Sequence, residues 1–224
     1  MEKNEHLLRS RRFLPMFLTQ FFGALNDNVY KQALLLVFTY GWISQQSANV
    51  STLNNLAALL FILPYFIFSA TAGQLADKYE RAQLVRAIKL LEIIIMLIGT
   101  AGFLLGNLWL LLIALFLMGA QSTFFGPIKY AILPEVLKPH ELMSGNAIFQ
   151  SGTSIAILLG MILGGAVISV SAGNLLWISL TVIVIALIGY ASSRFVLTQR
   201  VTAPEIEIDW NFFRTSFQTL KYAK

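Results

Sequence analysis

Six apolar runs, each close to the roughly 20 residues that a membrane-spanning helix needs, constrain this chain more than any other feature. They fall at 13–39, 53–72, 84–105, 108–125, 143–169 and 175–196, with short connections between them. In hydrocarbon the backbone must satisfy its own hydrogen bonds, so a run of this kind is a helix rather than an isolated strand. Apolar residues make up 57% of the chain and charged residues 12%, about half the charge fraction of a soluble domain. The expected fold is an all-α membrane protein with six transmembrane helices. A short N-terminus (1–12) precedes the bundle (13–197), and a tail (198–224) follows it.

The formal net charge of +5 could point to nucleic acid on a soluble protein, but the positions of the charges argue otherwise. The connections 41–51, 106–107 and 171–174 carry none. The alternate ones hold Asp77, Lys78, Glu80 and Arg81, with Arg86 at the start of the run that follows, then Lys129, Glu135, Lys138, His140 and Glu141. Arg9, Arg11 and Arg12 precede the first run; Arg194 sits at the end of the last and Arg200 follows it. The positive-inside rule therefore puts both ends in the cytoplasm, and Trp42, Trp109 and Trp177 form an aromatic belt at the opposite rim. The first run is too long for the apolar core of a signal peptide and has no small-residue cleavage site, so it reads as an uncleaved helix. In the tail, 198–209 is a polar linker containing Pro204. Trp210, Phe213, Phe217 and Leu220 then recur at helical spacing, as in an amphipathic helix on the cytoplasmic membrane surface.

There is no cysteine, and the two histidines, His6 and His140, have no partner at ligand spacing. No metal or other cofactor is expected. Neither histidine begins an acyltransferase-type His-x4-Asp motif, and no glycine-rich loop ends in Lys-Ser/Thr, so no enzyme is expected within these residues.

Polar groups inside apolar spans are costly and so point to function. The first run holds the richest set, with Gln20, Asn26, Asp27, Asn28 and Lys31. At helical spacing Gln20, Asp27 and Lys31 share a face, which could line a central aqueous cavity. Alternatively, Asp27 and Lys31 could neutralise each other at i,i+4. In the third run Arg86 and Lys89 are expected to snorkel to the interface. The deeper Glu92 is either a partner of Lys89 or a cavity group. The fifth run carries Asn146, Gln150 and Ser154 at i,i+4 steps, read as a cavity face. Beyond them Gly160, Gly164 and Gly165 form a small-residue pattern for close helix packing.

Two segments carry a family resemblance. The stretch from Gly73 through Asp77 and Lys78 to Arg81 resembles the signature loop of the major facilitator superfamily, departing from it at Glu80 and Ala82. That resemblance implies the N-terminal six-helix half of a two-half transporter, with Gly73, Asp77 and Arg81 in a cytoplasmic gating loop and a C-terminal half as partner. A narrower resemblance runs through Phe-Gly-Ala-Leu-Asn26-Asp27-Asn28, then Gly126-Pro127-Ile-Lys129-Tyr130 after the fourth run, then Ser144-Gly145-Asn146-Ala147. These are similar to the bacterial lysophospholipid transporter family, some members of which are fused ahead of a 2-acylglycerophosphoethanolamine acyltransferase. The resemblance implies inward movement of lysophospholipid, chiefly lysophosphatidylethanolamine, across the bacterial inner membrane. Asp27, with Asn26 and Asn28, would meet the amine or glycerol hydroxyl, and Lys129 would attract the phosphate. An acyltransferase domain downstream is left open. Drug exporters of the superfamily usually carry an arginine in the fourth helix and Gly-Pro in the fifth, and this chain has neither.

Overall fold

A computed structural model describes residues 7–41, 49–197 and Glu205. Apart from Glu205, the linker and amphipathic helix expected over 198–224 lie outside the described residues, as does Trp42 of the aromatic belt. Among the described residues there are six long helices: α1 (Leu14–Tyr40), α2 (Val50–Lys78), α3 (Arg81–Leu105), α4 (Leu108–Val136), α5 (Leu142–Val170) and α6 (Leu175–Ser193). No strand occurs among the described residues.

Local chemistry sets the helix ends. Asn107 caps α4 by accepting hydrogen bonds from the Trp109 and Leu110 amides at 2.9 and 3.2 Å, and Asn174 caps α6 through Leu176 at 3.0 Å. Gly106 ends α3 with φ of 62°, a left-handed conformation that suits glycine. Two expected boundaries move. The fourth helix does not stop near residue 125 but continues to Val136 through Pro127 and Pro134, so Lys129 is a helical residue. The expected loop from Gly73 to Arg81 is helical except at Tyr79 and Glu80, which makes it a tight turn.

Five helices, α2 to α6, are long and apolar enough to cross a membrane. The sixth, α1, is long enough at 27 residues but is diluted by its polar residues. It packs along both α5 and α6, and of its polar residues Gln20, Asn26 and Asn28 are buried. The outer faces are apolar at helical spacing, as with Leu90, Ile94 and Leu97 on α3 and Leu180, Val184 and Leu187 on α6, all exposed.

The closest packing neighbours run in the order α5, α1, α6, α3, α4, α2. Exchanging α1–α3 with α4–α6 maps this chain of contacts onto itself, a threefold-plus-threefold pattern of the kind transporter bundles use. The sequence hardly shows it, because the matching Phe21-Phe22-Gly23 and Phe124-Phe125-Gly126 are too short to register. Gly160 and Gly164 let α5 approach α1: a Cβ on either would lie 2.5 Å from the Leu25 carbonyl oxygen or 2.7 Å from that of Val29. Gly165 faces open space and takes no part in that packing.

Two apolar clusters form the core. One surrounds Tyr30, Phe103, Met118 and Ile185, the other Phe13, Ile88, Ile132 and Phe149. The Tyr30 hydroxyl donates to the Leu111 carbonyl at 3.0 Å, satisfying its one polar atom. At the end of the bundle where α1 begins, cations tie elements together. Arg12 reaches Glu141 at 2.7 Å and the Val136 carbonyl at 3.2 Å, and Arg86 donates to the Val196 carbonyl at 3.2 Å. Glu141 also accepts from the Lys138 backbone N–H at 2.8 Å. That bond first, and the Arg12 guanidinium after it, hold its carboxyl below the usual carboxylate range.

Candidate functional site

Between the two apolar clusters lies a polar layer. On α1 it falls from Gln20 to Asp27, on α3 at Lys89 and Glu92, on α4 at Gln121 and Ser122, and on α5 at Thr153. Asp27 is the middle residue of α1, about 20 Å from either end at 1.5 Å per residue. The layer surrounds a cavity of about 230 Å³. Its walls are Gln20, Gly23, Ala24, Asp27, Asn28 and Lys31 from α1, Phe61 and Tyr65 from α2, and Lys89 from α3. Gln121, Ser122, Phe125 and Lys129 from α4 and Thr153 and Ile157 from α5 complete it.

Of the expected cavity residues, Gln20, Asp27, Asn28, Lys31 and Lys129 line this space. The i,i+4 ion pair is not formed. Asp27 Oδ2 accepts from the Ser122 hydroxyl at 2.8 Å, and Lys31 Nζ lies 4.3 Å from the Phe61 ring centroid. Gln20 donates to Thr153 Oγ1 at 3.1 Å, which joins α1 to α5 across one wall. Asn28 donates back to the Ala24 carbonyl at 2.7 Å. Lys129 sits 4.9 Å from the Tyr130 ring centroid. It lies seven residues before the end of α4, roughly 10 Å from that end.

Asn26 and Glu92 lie behind the wall. Asn26 is fully buried and donates to Glu92 Oε1 at 3.0 Å, while Lys89 Nζ holds Glu92 Oε2 at 2.6 Å. Lys89 and Glu92 are each 1% exposed, so the expectation that Lys89 snorkels to the interface is overturned. The reason lies in its neighbours: Gly23 has no side chain where the Lys89 ammonium passes α1, and Glu92 neutralises the charge from inside. Asn146 and Gln150 do not reach the cavity. Both lie on an exposed face of α5, with Asn146 bonded to the Leu142 carbonyl at 3.0 Å, and α5 presents Thr153 and Ile157 instead. Gly73, Asp77 and Arg81, expected as a gating loop, lie at the turn between α2 and α3. Arg81 is buried and paired with Glu135 of α4, with a longer contact of 3.8 Å to Asp77, and it donates to the Ala76 carbonyl at 3.3 Å.

Sequence reasoning missed Lys89, Tyr65, Phe61, Ser122 and Thr153 as wall residues. A lysine three residues before a glutamate inside an apolar run was a usable signal for Lys89. The hydroxyls gave none, because serine and threonine in helices commonly bond their own backbone, as Thr153 also does to the Phe149 carbonyl at 2.9 Å.

The cavity sets three lysines against one aspartate, and the charge of Lys89 is already offset by Glu92. The buried Asp27 Oδ1 and Gln121 Oε1 have no hydrogen-bond partner among the described residues. Such a site suits a molecule with an anionic group and a hydrogen-bond donor, held at mid-bundle and enclosed by apolar helices.

The model of one family, the Major Facilitator Superfamily, matches residues 16–222. Among curated proteins the chain is similar to the lysophospholipid transporter LplT of Yersinia enterocolitica, at 28% identity over 181 residues, 81% of this chain and 42% of that protein. It is similar to LplT of Cronobacter sakazakii at 26% identity, over 70% of this chain and 37% of that protein, and to LplT of Yersinia pestis at 27%, over 70% and 36%. The chain thus spans about two fifths of the length of the curated relatives it matches. A multi-pass helical bundle, a polar cavity at its middle and a family match over nearly the whole chain lead to one conclusion: this chain belongs to the Major Facilitator Superfamily.

Proposed function

We propose that the chain is the N-terminal six-helix half of a transporter that moves lysophospholipid, chiefly lysophosphatidylethanolamine, inward across the bacterial inner membrane by alternating access. The observation that carries this reading is the cavity in which Asp27 and Lys129 face the same space as Lys31 and Lys89. The names of the relatives support the substrate class.

The physical problem for such a substrate has two parts. A charged head group is expensive at the bilayer midplane, whereas a tail exposed to water loses about 0.8 kcal/mol per methylene. A polar cavity inside an apolar bundle answers the first part. Asp27, oriented by Ser122, would take the amine or glycerol hydroxyl, and Lys129 the phosphate on the side where α1 begins. Asn26 takes a supporting role by fixing Glu92, which in turn fixes Lys89.

Both termini are cytoplasmic in this reading, and Arg81 with Asp77 and Glu135 forms the cytoplasmic latch. The C-terminal half would close the cavity against α2 and α5, where Asn146 and Gln150 await a partner surface. An acyltransferase downstream, where one is fused, would consume the imported lysolipid.

Competition tests the reading. Uptake of head-group-labelled lysophosphatidylethanolamine by vesicles containing the protein should be inhibited by unlabelled lysolipid and not by water-soluble solutes. Competition by a water-soluble solute with none by lysolipid would assign the chain to another solute carrier of the superfamily.

A further inference from the structure

A second cavity, of about 290 Å³, adjoins the first between the C-terminal half of α1 and the N-terminal half of α2. Lys31 and Phe61 belong to the walls of both. On one side of them the lining is carboxylate, amide and ammonium. On the other it is Leu34, Phe38, Ala58, Ile62 and their apolar neighbours, with Leu115 of α4 as the floor. Leu35 and Ile62 at the rim are 45% and 49% exposed, so the groove is open along its side.

Resting on the transport reading above, the geometry points to this groove as the track for the substrate's single acyl chain. The chain would enter past Lys31 while the head group occupies the polar cavity. Lys31 suits the junction because its methylene stem can line the groove while its ammonium stays against the Phe61 ring at 4.3 Å. The small side chains of Ala57 and Ala58 leave the width of the groove between two helices. From Lys31 to Phe38 it runs about 10 Å along α1. At its α2 end Asn54, whose buried Oδ1 has no partner among the described residues, sets a polar limit. The groove therefore holds the part of the tail nearest the head group and releases the rest sideways. The physical need is definite, since each methylene left in water would lower occupancy roughly fourfold.

Photolabelling of the full chain in membrane vesicles tests this. The probe is lysophosphatidylethanolamine with a radiolabelled head group and a diazirine early in its acyl chain, and adducts are mapped by peptide mass spectrometry. The expected result is adducts concentrated at 34–38 and 54–62. Excess unlabelled lysolipid, or Ala58→Trp, should reduce them about tenfold, and Ala58→Trp should also lower head-group uptake. Ile62→Trp at the exposed rim serves if Ala58→Trp is misfolded. Normal uptake with adducts spread over the lipid-facing sides of α3 and α6, or with groove adducts indifferent to competitor and tryptophan, would overturn the track while leaving transport standing. Absence of head-group uptake by the unmodified protein would overturn the transport reading and the track with it.

Discussion

Replacing Glu92 with glutamine should destabilise the bundle by about 3–5 kcal/mol, the range for breaking a buried ion pair by removing one partner. The structure gives the reasons. The Lys89–Glu92 contact is 2.6 Å and both side chains are essentially inaccessible. At that separation and an effective dielectric constant of about 20, the attraction is about 6 kcal/mol. Desolvation of the two charges offsets most of it, at several kcal/mol per ion. Glutamine preserves the shape and the acceptor for Asn26, so the loss is almost purely electrostatic and leaves the Lys89 ammonium uncompensated. Melting of detergent-solubilised protein should fall by roughly 6–20 °C. The double variant Lys89→Met/Glu92→Gln should recover most of that loss, because no buried charge remains, although the cavity loses a cation. If Glu92→Gln melts like the parent, or if the double variant loses as much as the two singles together, the buried pair does not organise the polar layer as described.

Further outcomes follow from other contacts. Gly160→Leu and Gly164→Leu should each destabilise by about 1–3 kcal/mol or more through overpacking against α1, while Gly165→Leu, which meets open space, should leave the melting temperature unchanged. Ser122→Ala removes the hydrogen bond to Asp27, a charged-group bond worth about 1.5–3 kcal/mol, and should lower lysolipid uptake about tenfold or more at normal expression. The folded-state pKa of Glu141 is depressed, so its contribution is present above the unfolded-state value of about 4.3 and is lost as pH falls through the folded value. Melting temperature measured against pH should therefore drop on the acid side, and Glu141→Gln should shallow that drop. Because the chain has no cysteine, single cysteines report topology cleanly. Lys138→Cys should be shielded from an impermeant thiol reagent in intact spheroplasts, and Ser171→Cys should react.

The helices were legible because twenty-residue apolar runs admit few alternatives, and Pro127 and Pro134 show where that reasoning stops. Proline marks a break in water, yet inside a bundle neighbouring helices can supply the missing satisfaction, and α4 runs on. The one-face argument for α1 grouped Gln20, Asp27 and Lys31, and all three line the cavity. It could not place Asn26, which lies 100° from Asp27 around the helix and faces α3. The spacing of Lys89 and Glu92 signalled a buried pair, but where the ammonium passes depends on Gly23, sixty-six residues away. The same holds for Asn146 and Gln150. Their spacing gives a polar face but not which neighbour that face meets.

The central claim is that Asp27 and Lys129 hold the two ends of a lysolipid head group in one cavity. Uptake of head-group-labelled lysophosphatidylethanolamine into spheroplasts expressing Asp27→Asn or Lys129→Ala measures it most directly. The account predicts a loss of at least about tenfold for each, the equivalent of roughly 1.4 kcal/mol, at unchanged expression. Full uptake by both variants at normal expression would contradict it.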